Sequence, residues 1–361
     1  MAHVILIGAG AIGSQVLQHL ARSPHVSKIT LIDPGRYDTG NTRGQHIDLH
    51  DVGRSKARAQ ARRLRRITPA LPVVPIRAAV GRLPLGMLRG SVILAALDSR
   101  RARMTVNQAA WRLGVPWIDS GVHADGMLAR VRVFVPGDDA PCLECGWDQA
   151  DYDALEQVYP CAPGVIPGST GASPALSGVA AAFEAIECDK LLGGEAAHAL
   201  VGRDVLIDTR HHIHSVTGYR RNPSCRMPDH GGWQITALDA APDSMTVDHL
   251  LALGSTLRGA RASLALRIAG RRLATELRCE ACDAPHAICQ TERLTRRSRL
   301  RCRQCAAHLR LTGFGLHDFV SETAVPVSVR EQPLSAIGVR AHDVITLRTP
   351  ELDAHFEVGA P

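Results

Sequence analysis

The sequence predicts an α/β protein, in which a doubly wound, mostly parallel sheet is followed by a smaller β-rich domain held together by metal ions. Residues 3 to about 135 alternate short apolar runs with helical stretches, and this alternation is typical of parallel strands joined by crossover helices. Six of the ten cysteines fall in three Cys-x-x-Cys pairs, a spacing that is typical of zinc ligands. The 361-residue chain is long enough for both parts.

The elements follow in order along the chain. Apolar runs predict strands at residues 4–7, 29–32, 73–76, 92–96 and 117–120, with helices at 14–22 and 55–67 between them, and 128–135 alternates as an edge or antiparallel strand. Residues 142–178 are rich in Pro, Gly, Ser and Cys and predict a long crossing segment, followed by a helix at 178–192. After Trp233 the chain changes to short strands and a cysteine ribbon, which predicts two domains, 1–232 and 233–361.

The first strand runs directly into a glycine-rich turn made by Gly8, Gly10 and Gly13, and Asp33 follows twenty residues after the last of them. Glycines at this spacing let the backbone turn tightly and approach a phosphate at the N-terminus of the next helix. Asp33 is then placed to bind ribose hydroxyls. The turn alone is compatible with NAD, FAD or ATP.

Composition excludes several classes of function. The net charge is +7, but nearly all basic residues are arginines interspersed with acids, and clusters such as residues 62–66 are interpreted as solvated helix faces. We therefore do not expect nucleic-acid binding. No apolar stretch approaches the ~20 residues of a membrane span, and the chain begins without a signal-peptide pattern, so we expect a cytoplasmic protein. Cysteines in that compartment are metal ligands or thiols rather than disulfides.

The residues beyond Asp33 resemble a known family. The chain carries, in order, Asn41, Arg43, Gln45, Lys56, Asp98 and Arg103, and later Cys161, the segment 183–192 and Cys225. Over residues 3–230 this order resembles the ThiF/MoeB/HesA group of ubiquitin-activating-enzyme-like adenylyltransferases. The resemblance implies a Rossmann-like adenylation domain that uses ATP and Mg²⁺. It also implies that this domain adenylates the C-terminal carboxylate of a ubiquitin-like or sulfur-carrier protein, as a homodimer.

The resemblance assigns roles to individual residues. It implies that Asp33 binds the ribose and that Asp98 holds the Mg²⁺ ion. It also implies that the phosphates are contacted by Asn41, Gln45 and Lys56, and that Arg103 is a further nucleotide contact. Nucleotidyl transfer depends on positioning and on placed cations, which suits a lysine and a metal-binding carboxylate at the carboxyl edge of the sheet. An arginine of the family falls on Gly44, and the neighbouring Arg43 is the candidate substitute.

Two structural zinc sites are predicted. Cys142 and Cys145 form half of a tetrahedral site, and the resemblance indicates Cys225 as a third ligand. Pro228 stands where the family has its fourth cysteine, so His230 is the candidate, the alternative being a solvated loop histidine. The second site has the spacing of a zinc ribbon and is made by Cys279, Cys282, Cys302 and Cys305.

Cys161 has no paired cysteine and lies in the crossing segment where several relatives carry a reactive cysteine. A thiolate there could accept the acyl group as a thioester, while the alternative is a metal ligand or a buried loop thiol. Residues 333–348 are weakly similar to the end of a β-grasp domain. Residues 233–361 are therefore a candidate docking domain for a ubiquitin-conjugating-enzyme-like protein or for the modifier.

Two other functions remain open from the sequence. One is a degenerate activating-enzyme fold that only binds peptides, which the displaced arginine at Arg43 would favour. The other is a NAD-dependent oxidoreductase, but this leaves Lys56 and Asp98 unexplained and offers no group for hydride transfer.

Overall fold

The computed structural model describes residues 2–156, 173–228, 230–255, 263–298 and 300–359. These residues form two compact units. The first unit comprises Met1–Leu83 and Leu88–Trp233, and the second comprises Pro84–Met87 and Gln234–Pro361. The short segment Pro84–Met87 thus belongs to the second unit although it lies far from it in the sequence.

The first unit contains one eight-stranded sheet and five α-helices among its described residues. The strands are β1 (Ala2–Ile7), β2 (Val26–Ile32), β3 (Val73–Ile76), β4 (Val92–Ala96), β5 (Trp117–His123), β6 (Leu128–Phe134), β7 (Arg203–Asp208) and β8 (Ile213–Gly218). The helices are α1 (Gly13–Leu20), α2 (Lys56–Ile67), α3 (Arg100–Leu113), α4 (Gln149–Glu156) and α5 (Pro174–Leu192).

The strand order is β3-β2-β1-β4-β5-β6-β7-β8. Strands β1 to β5 pair in parallel, and β5 to β8 pair antiparallel. The order reverses between β1 and β4, and a ligand in an open α/β sheet binds at such a switch point, beyond the carboxyl ends of the strands. The predicted α/β class is confirmed, and the antiparallel part extends the sheet beyond the predicted strand at 128–135.

Helices cover both faces of this sheet. On one face, Leu17 of α1, Leu64 of α2 and Ala180 of α5 join a core with Leu6 and Ile118 of the strands. On the other face, helix α3 packs through Trp111, whose ring meets the edge of Phe134, and Trp117 stacks on Phe134 at 5.0 Å between ring centroids. Because both faces are covered, the central strands are apolar throughout rather than alternating.

Capping residues fix the ends of the helices that matter for the site. Ser99 caps α3 by accepting a hydrogen bond from the Ala102 amide, and Gly114 ends it in a left-handed conformation. Helix α5 begins at Pro174, four residues before the predicted start, because Ser173 caps it and proline is favoured in the first turn. Helix α4 lies inside the segment predicted only as a crossing stretch.

The second unit holds two small sheets. Its strands are β9 (Ile235–Leu238), β10 (Ala265–Ile268), β11 (Leu273–Cys279), β12 (Pro285–Thr291), β13 (Leu309–Leu311), β14 (Leu316–His317), β15 (Val320–Ser321), β16 (Val344–Arg348) and β17 (Asp353–Val358), and its helices are α6 (Val247–Ser255), α7 (Glu292–Arg297) and α8 (Val327–Arg330). One sheet has the order β15-β10-β16-β17-β9; in the other, β11 pairs with β12, β13 and β14. Cys289 is buried in the core of this unit.

Candidate active site

The glycine turn follows β1 and is shaped by close backbone contacts. Gly8 has a φ of +99°, and a Cβ atom there would lie 2.2 Å from the carbonyl oxygen of Ala96. A Cβ at Gly13 would lie 1.9 Å from the carbonyl oxygen of Gly8, whereas a Cβ at Gly10 would have no atom within 4 Å. Gly8 and Gly13 are therefore required by packing, and the space at Gly10 is open for a ligand to approach the backbone.

Asp33 lies directly after β2 and braces this turn. Its Oδ2 accepts a hydrogen bond of 2.8 Å from the Ala9 amide, and its Oδ1 accepts one of 2.7 Å from the Gly35 amide. The hydroxyl of Tyr37 donates to the carbonyl oxygen of Ala9 at 3.0 Å. Burial raises the pKa of Tyr37, which keeps this hydroxyl a donor. The Asp33 carboxylate thus lies beside the glycine turn.

Lys56 is the first residue of α2 and faces the loop that follows Asp33. Its Nζ donates to Oε1 of Gln45 at 3.2 Å and lies 5.3 Å from the centroid of the Tyr37 ring. The backbone amide of Lys56 donates to the carbonyl oxygen of Gly35 at 3.0 Å. The structure therefore brings Gln45 and Lys56 together next to Asp33.

Asn41 and Arg43 lie in a short 3₁₀ helix, Thr39–Arg43. Asn41 belongs to a capping box. Its backbone amide donates to Oδ1 of Asp38, and its side-chain Oδ1 accepts a hydrogen bond from the backbone amide of Asp38. Arg43 ends this helix and is exposed. The capping box fixes the shape of the loop and leaves the Arg43 side chain on the surface.

Asp98 lies two residues after the end of β4 and is exposed. Because Gly8 packs against the carbonyl oxygen of Ala96, the end of β4 lies directly beside the glycine turn. Arg103 donates to the carbonyl oxygens of Leu97 and Ser120 and lies 3.3 Å from the carboxylate of Asp119. Its guanidinium group therefore holds the backbone next to Asp98.

A buried charged network beneath this edge has no obvious signal in the sequence. Asp119, which is 1% exposed, pairs with both Arg103 and Arg132, and Arg132 donates to the Tyr219 hydroxyl at 3.2 Å. The pairing depends on the register between β5 and β6, in which Asp119 lies opposite Arg132. Charges buried in this way are retained only when they are paired, and this pair anchors Arg103.

Glu184 of α5 is fully buried on the opposite face of the sheet. Its Oε2 accepts a hydrogen bond of 2.6 Å from the Ser120 hydroxyl, and its Oε1 has no hydrogen-bond partner among the described residues. Burial raises the pKa of Glu184 to about 8. A carboxyl group in this environment is held in its protonated form near neutral pH.

The first cluster of metal-ligand residues, here called the Cys₃His cluster, consists of Cys142, Cys145, Cys225 and His230. Their ligand atoms lie within 4.8 Å of one another. The Sγ atoms of Cys142 and Cys225 are 3.7 Å apart, as are Sγ of Cys145 and Nε2 of His230. Tetrahedral zinc with Zn–S bonds of ~2.3 Å places its sulfurs about 3.8 Å apart, so these residues fit a zinc ion.

The second cluster, here called the Cys₄ cluster, consists of Cys279, Cys282, Cys302 and Cys305, with ligand atoms again within 4.8 Å. Sγ atoms of Cys282 and Cys302 are 3.6 Å apart, which also fits tetrahedral zinc. His286, which the sequence did not single out, places Nε2 3.3 Å from Sγ of Cys302. Cys161 lies outside the described residues, so the predicted acceptor thiol has no structural description.

Comparison with known proteins identifies relatives of the first unit. The model of the ThiF family matches residues 1–227. A SAMP-activating enzyme E1 of Haloferax volcanii is 28% identical over 64% of this chain and 82% of its own length. A sulfur carrier protein adenylyltransferase of Thermus thermophilus is 30% identical over 62% of this chain and 81% of its own length.

The fold of the first unit also occurs in solved structures. A crystal structure of Escherichia coli MccB with ATP has a TM-score of 0.52 and 22% sequence identity, and the match covers 63% of this chain. It covers 66% of that MccB chain, just under two thirds of its length. At this identity the likeness concerns the fold alone. Within the described residues, no helix is both long and apolar enough to cross a membrane.

Proposed function

The chain belongs to the ThiF family, and from that premise we propose that it is an adenylyltransferase that activates the C-terminal carboxylate of a ubiquitin-like or sulfur-carrier protein. Relatives named for such activities match across 81% or more of their own length. Three groups at the carboxyl edge of the parallel strands support the proposal. These are the open backbone at Gly10, the Lys56 ammonium and the Asp98 carboxylate.

The observation that carries the proposal is the packing of Gly8 against the carbonyl oxygen of Ala96. This contact joins the phosphate-binding turn to the end of β4, so a triphosphate held at Gly10 lies next to the loop that carries Asp98. A dinucleotide-binding oxidoreductase would use the turn and Asp33 but would have no use for Lys56 or Asp98.

In the proposed reaction, a carboxylate oxygen of the modifier forms a bond to the α-phosphorus of ATP. The bond from that phosphorus to the bridging oxygen breaks, and pyrophosphate leaves with the electron pair. Lys56, oriented by Gln45, supplies a compact positive charge to the phosphates. Asp98 would hold Mg²⁺, which neutralises phosphate charge when bound. Arg43, exposed at the end of its 3₁₀ helix, is the proposed substitute for the family arginine.

The finer parts of the assignment are proposals as well. The two cysteine clusters would each hold one structural Zn²⁺ ion, with Cys₃His and Cys₄ ligand sets. Transfer of the acyl group to Cys161 as a thioester would follow adenylation. The enzyme would act as a cytoplasmic homodimer, and residues 233–361 would dock the modifier or a ubiquitin-conjugating-enzyme-like protein.

A peptide-binding module without catalysis is the second candidate, and Gly44 favours it, since the family arginine is displaced to Arg43. ATP–pyrophosphate exchange that depends on an added carrier protein separates the two. We expect exchange with the wild type and none with Asp98→Ala. Asp139→Ala, which removes an exposed carboxylate outside the site, should retain it. Absence of exchange with every carrier tested, while the carrier still binds, would favour the module.

A further inference from the structure

The strongest feature that the proposed function leaves unused is a run of arginines along α2 and the loop before it. Residues 54–66 contain six arginines besides Lys56, and no acid. From the sequence, residues 62–66 are interpreted as a solvated helix face, and Arg62, Arg65 and Arg66 are exposed. In the structure, part of the run lines a cavity of about 170 Å³ between α2 and the loop before it. This arginine cavity is lined by Arg54, Arg62, Arg63, Arg66, Asp48 and Asp51.

The charges of the arginine cavity do not balance. Both carboxylates are committed to Arg63, whose guanidinium lies 3.0 Å from Asp48 and 2.8 Å from Asp51. These two ion pairs also fasten the loop to the helix and so form the wall of the cavity. Four guanidinium groups against two carboxylates leave a net charge of +2 at the wall.

The arrangement of Arg62 and Arg66 is unfavourable without a ligand. They are four residues apart on one helix, and like charges at this spacing repel each other. A bound anion would remove this repulsion and accept hydrogen bonds from planar guanidinium groups, which suit phosphate oxygens.

Charge and lining, rather than enclosure, select the occupant. Arg54, Arg62 and Arg66 are exposed, so the cavity is open to solvent. Apart from Ala59, every lining side chain is charged or is the imidazole of His50, which excludes an apolar ligand.

We propose that the arginine cavity is an anion site for a small phosphate-type ligand, inorganic phosphate or pyrophosphate, separate from the nucleotide site. None of its lining residues belongs to the glycine turn or to Asp33, Gln45, Lys56 or Asp98. Lys56, which is the nearest of these in the sequence, directs its ammonium group toward Gln45 and the Tyr37 ring instead. The ligand is held by Arg62 and Arg66 of the helix and by Arg54 of the loop.

Calorimetric titration of the full chain with inorganic phosphate, and separately with pyrophosphate, tests this site. We expect saturable binding to the wild type, and a rise of at least tenfold in Kd for Arg62→Gln/Arg66→Gln. The matched control, Arg58→Gln/Arg65→Gln, removes the same charge from exposed positions of α2 outside the cavity and should stay within about twofold of the wild type. Equal weakening of both double variants would overturn the proposal, because it would indicate a general charge effect.

A second comparison separates the two sites. Lys56→Gln should retain phosphate binding, and loss of binding in that variant would place the ion in the nucleotide site and overturn the proposal. Arg54→Gln, on the loop side, should weaken phosphate binding without changing α2. This variant tests the proposal if the helix variants do not fold. Absence of any saturable binding to the folded wild type at low salt would also overturn the proposal.

Discussion

Arg103 of helix α3 donates a hydrogen bond to the backbone carbonyl of Leu97, the residue that precedes Asp98. The same guanidinium group reaches the Ser120 carbonyl at 3.0 Å and lies against Asp119. From the sequence, Arg103 was a candidate nucleotide contact. From these contacts we infer that Arg103 is a positioning residue, one that fixes the loop carrying Asp98, and the direct nucleotide contact stays the alternative prediction.

Replacing Arg103 should therefore lower the turnover number more than the affinity for ATP. We expect Arg103→Met to reduce kcat of carrier-dependent ATP–pyrophosphate exchange by on the order of 10- to 100-fold, because small misplacements of a catalytic group have effects of this size. KM for ATP should change little. Asp119→Asn should have the same pattern in weaker form, since Asp119 orients Arg103.

The control for Arg103 is Arg100→Met, which removes an exposed arginine from the same helix and should leave kcat unchanged. The opposite pattern, in which Arg103→Met raises KM for ATP with an unchanged kcat, would mean that the guanidinium group binds the nucleotide directly.

Gly10 and Gly13 of the turn should respond differently to alanine. Gly13→Ala places a methyl group 1.9 Å from a backbone oxygen, which the chain can relieve only by moving, so we expect a loss of about 1–3 kcal/mol of stability. Gly10→Ala meets nothing within 4 Å and should leave the melting temperature nearly unchanged. It should nevertheless raise KM for ATP, because the methyl group occupies the approach of the phosphates. A Gly10→Ala enzyme with wild-type KM would contradict this placement of the triphosphate.

Local patterns in the sequence were sufficient for the parallel part of the sheet and for β6, whereas β7 and β8 were not predicted. The apolar runs predict the cores of β1 to β5, and the family resemblance implies that Asp33, Gln45 and Lys56 surround one nucleotide. The pairing of Asp119 with Arg132 could not be read in advance, because it arises from the register of β5 against β6. A charged residue in a strand looks the same in sequence whether it is solvated or paired.

Helix α4 and the segment Pro84–Met87 were missed for related reasons. The region around α4 is rich in residues that favour turns, and eight residues give too few helical periods to stand out. Pro84–Met87 belongs to the second unit through contacts such as the hydrogen bond from the Gly86 amide to the His342 carbonyl. Such long-range contacts leave no local pattern in the sequence.

Glu184 should make the folded protein less stable as the pH rises. Its pKa is about 8 in the folded chain against an ordinary value of 4.5, so between these values the folded state holds a proton that the unfolded state has released. Stability contributed by this group is then lost with rising pH, by up to about 1.4 kcal/mol for each pH unit in this window. Above about pH 8 the loss levels off.

Glu184→Gln removes this proton linkage while keeping an oxygen that accepts from Ser120. We expect the free energy of unfolding of the variant, minus that of the wild type, to increase by up to roughly 2–3 kcal/mol when the pH is raised from about 5.5 to about 7.5. Urea unfolding of both proteins at the two pH values measures the difference. A constant difference between them across this range would mean that Glu184 is ionised in the folded state.

The two cysteine clusters should each bind one zinc ion, and His230 should be a ligand of the first. We expect metal analysis of the purified chain to find two zinc ions, with one lost in Cys142→Ser and the other in Cys282→Ser. His230→Ala should weaken zinc retention against a chelator. His230→Cys should preserve it, because a thiolate at that position completes a four-cysteine site. Cys188→Ala, which alters a buried cysteine outside both clusters, is the control and should keep both ions. If His230→Ala holds zinc as tightly as the wild type, the fourth ligand is another group.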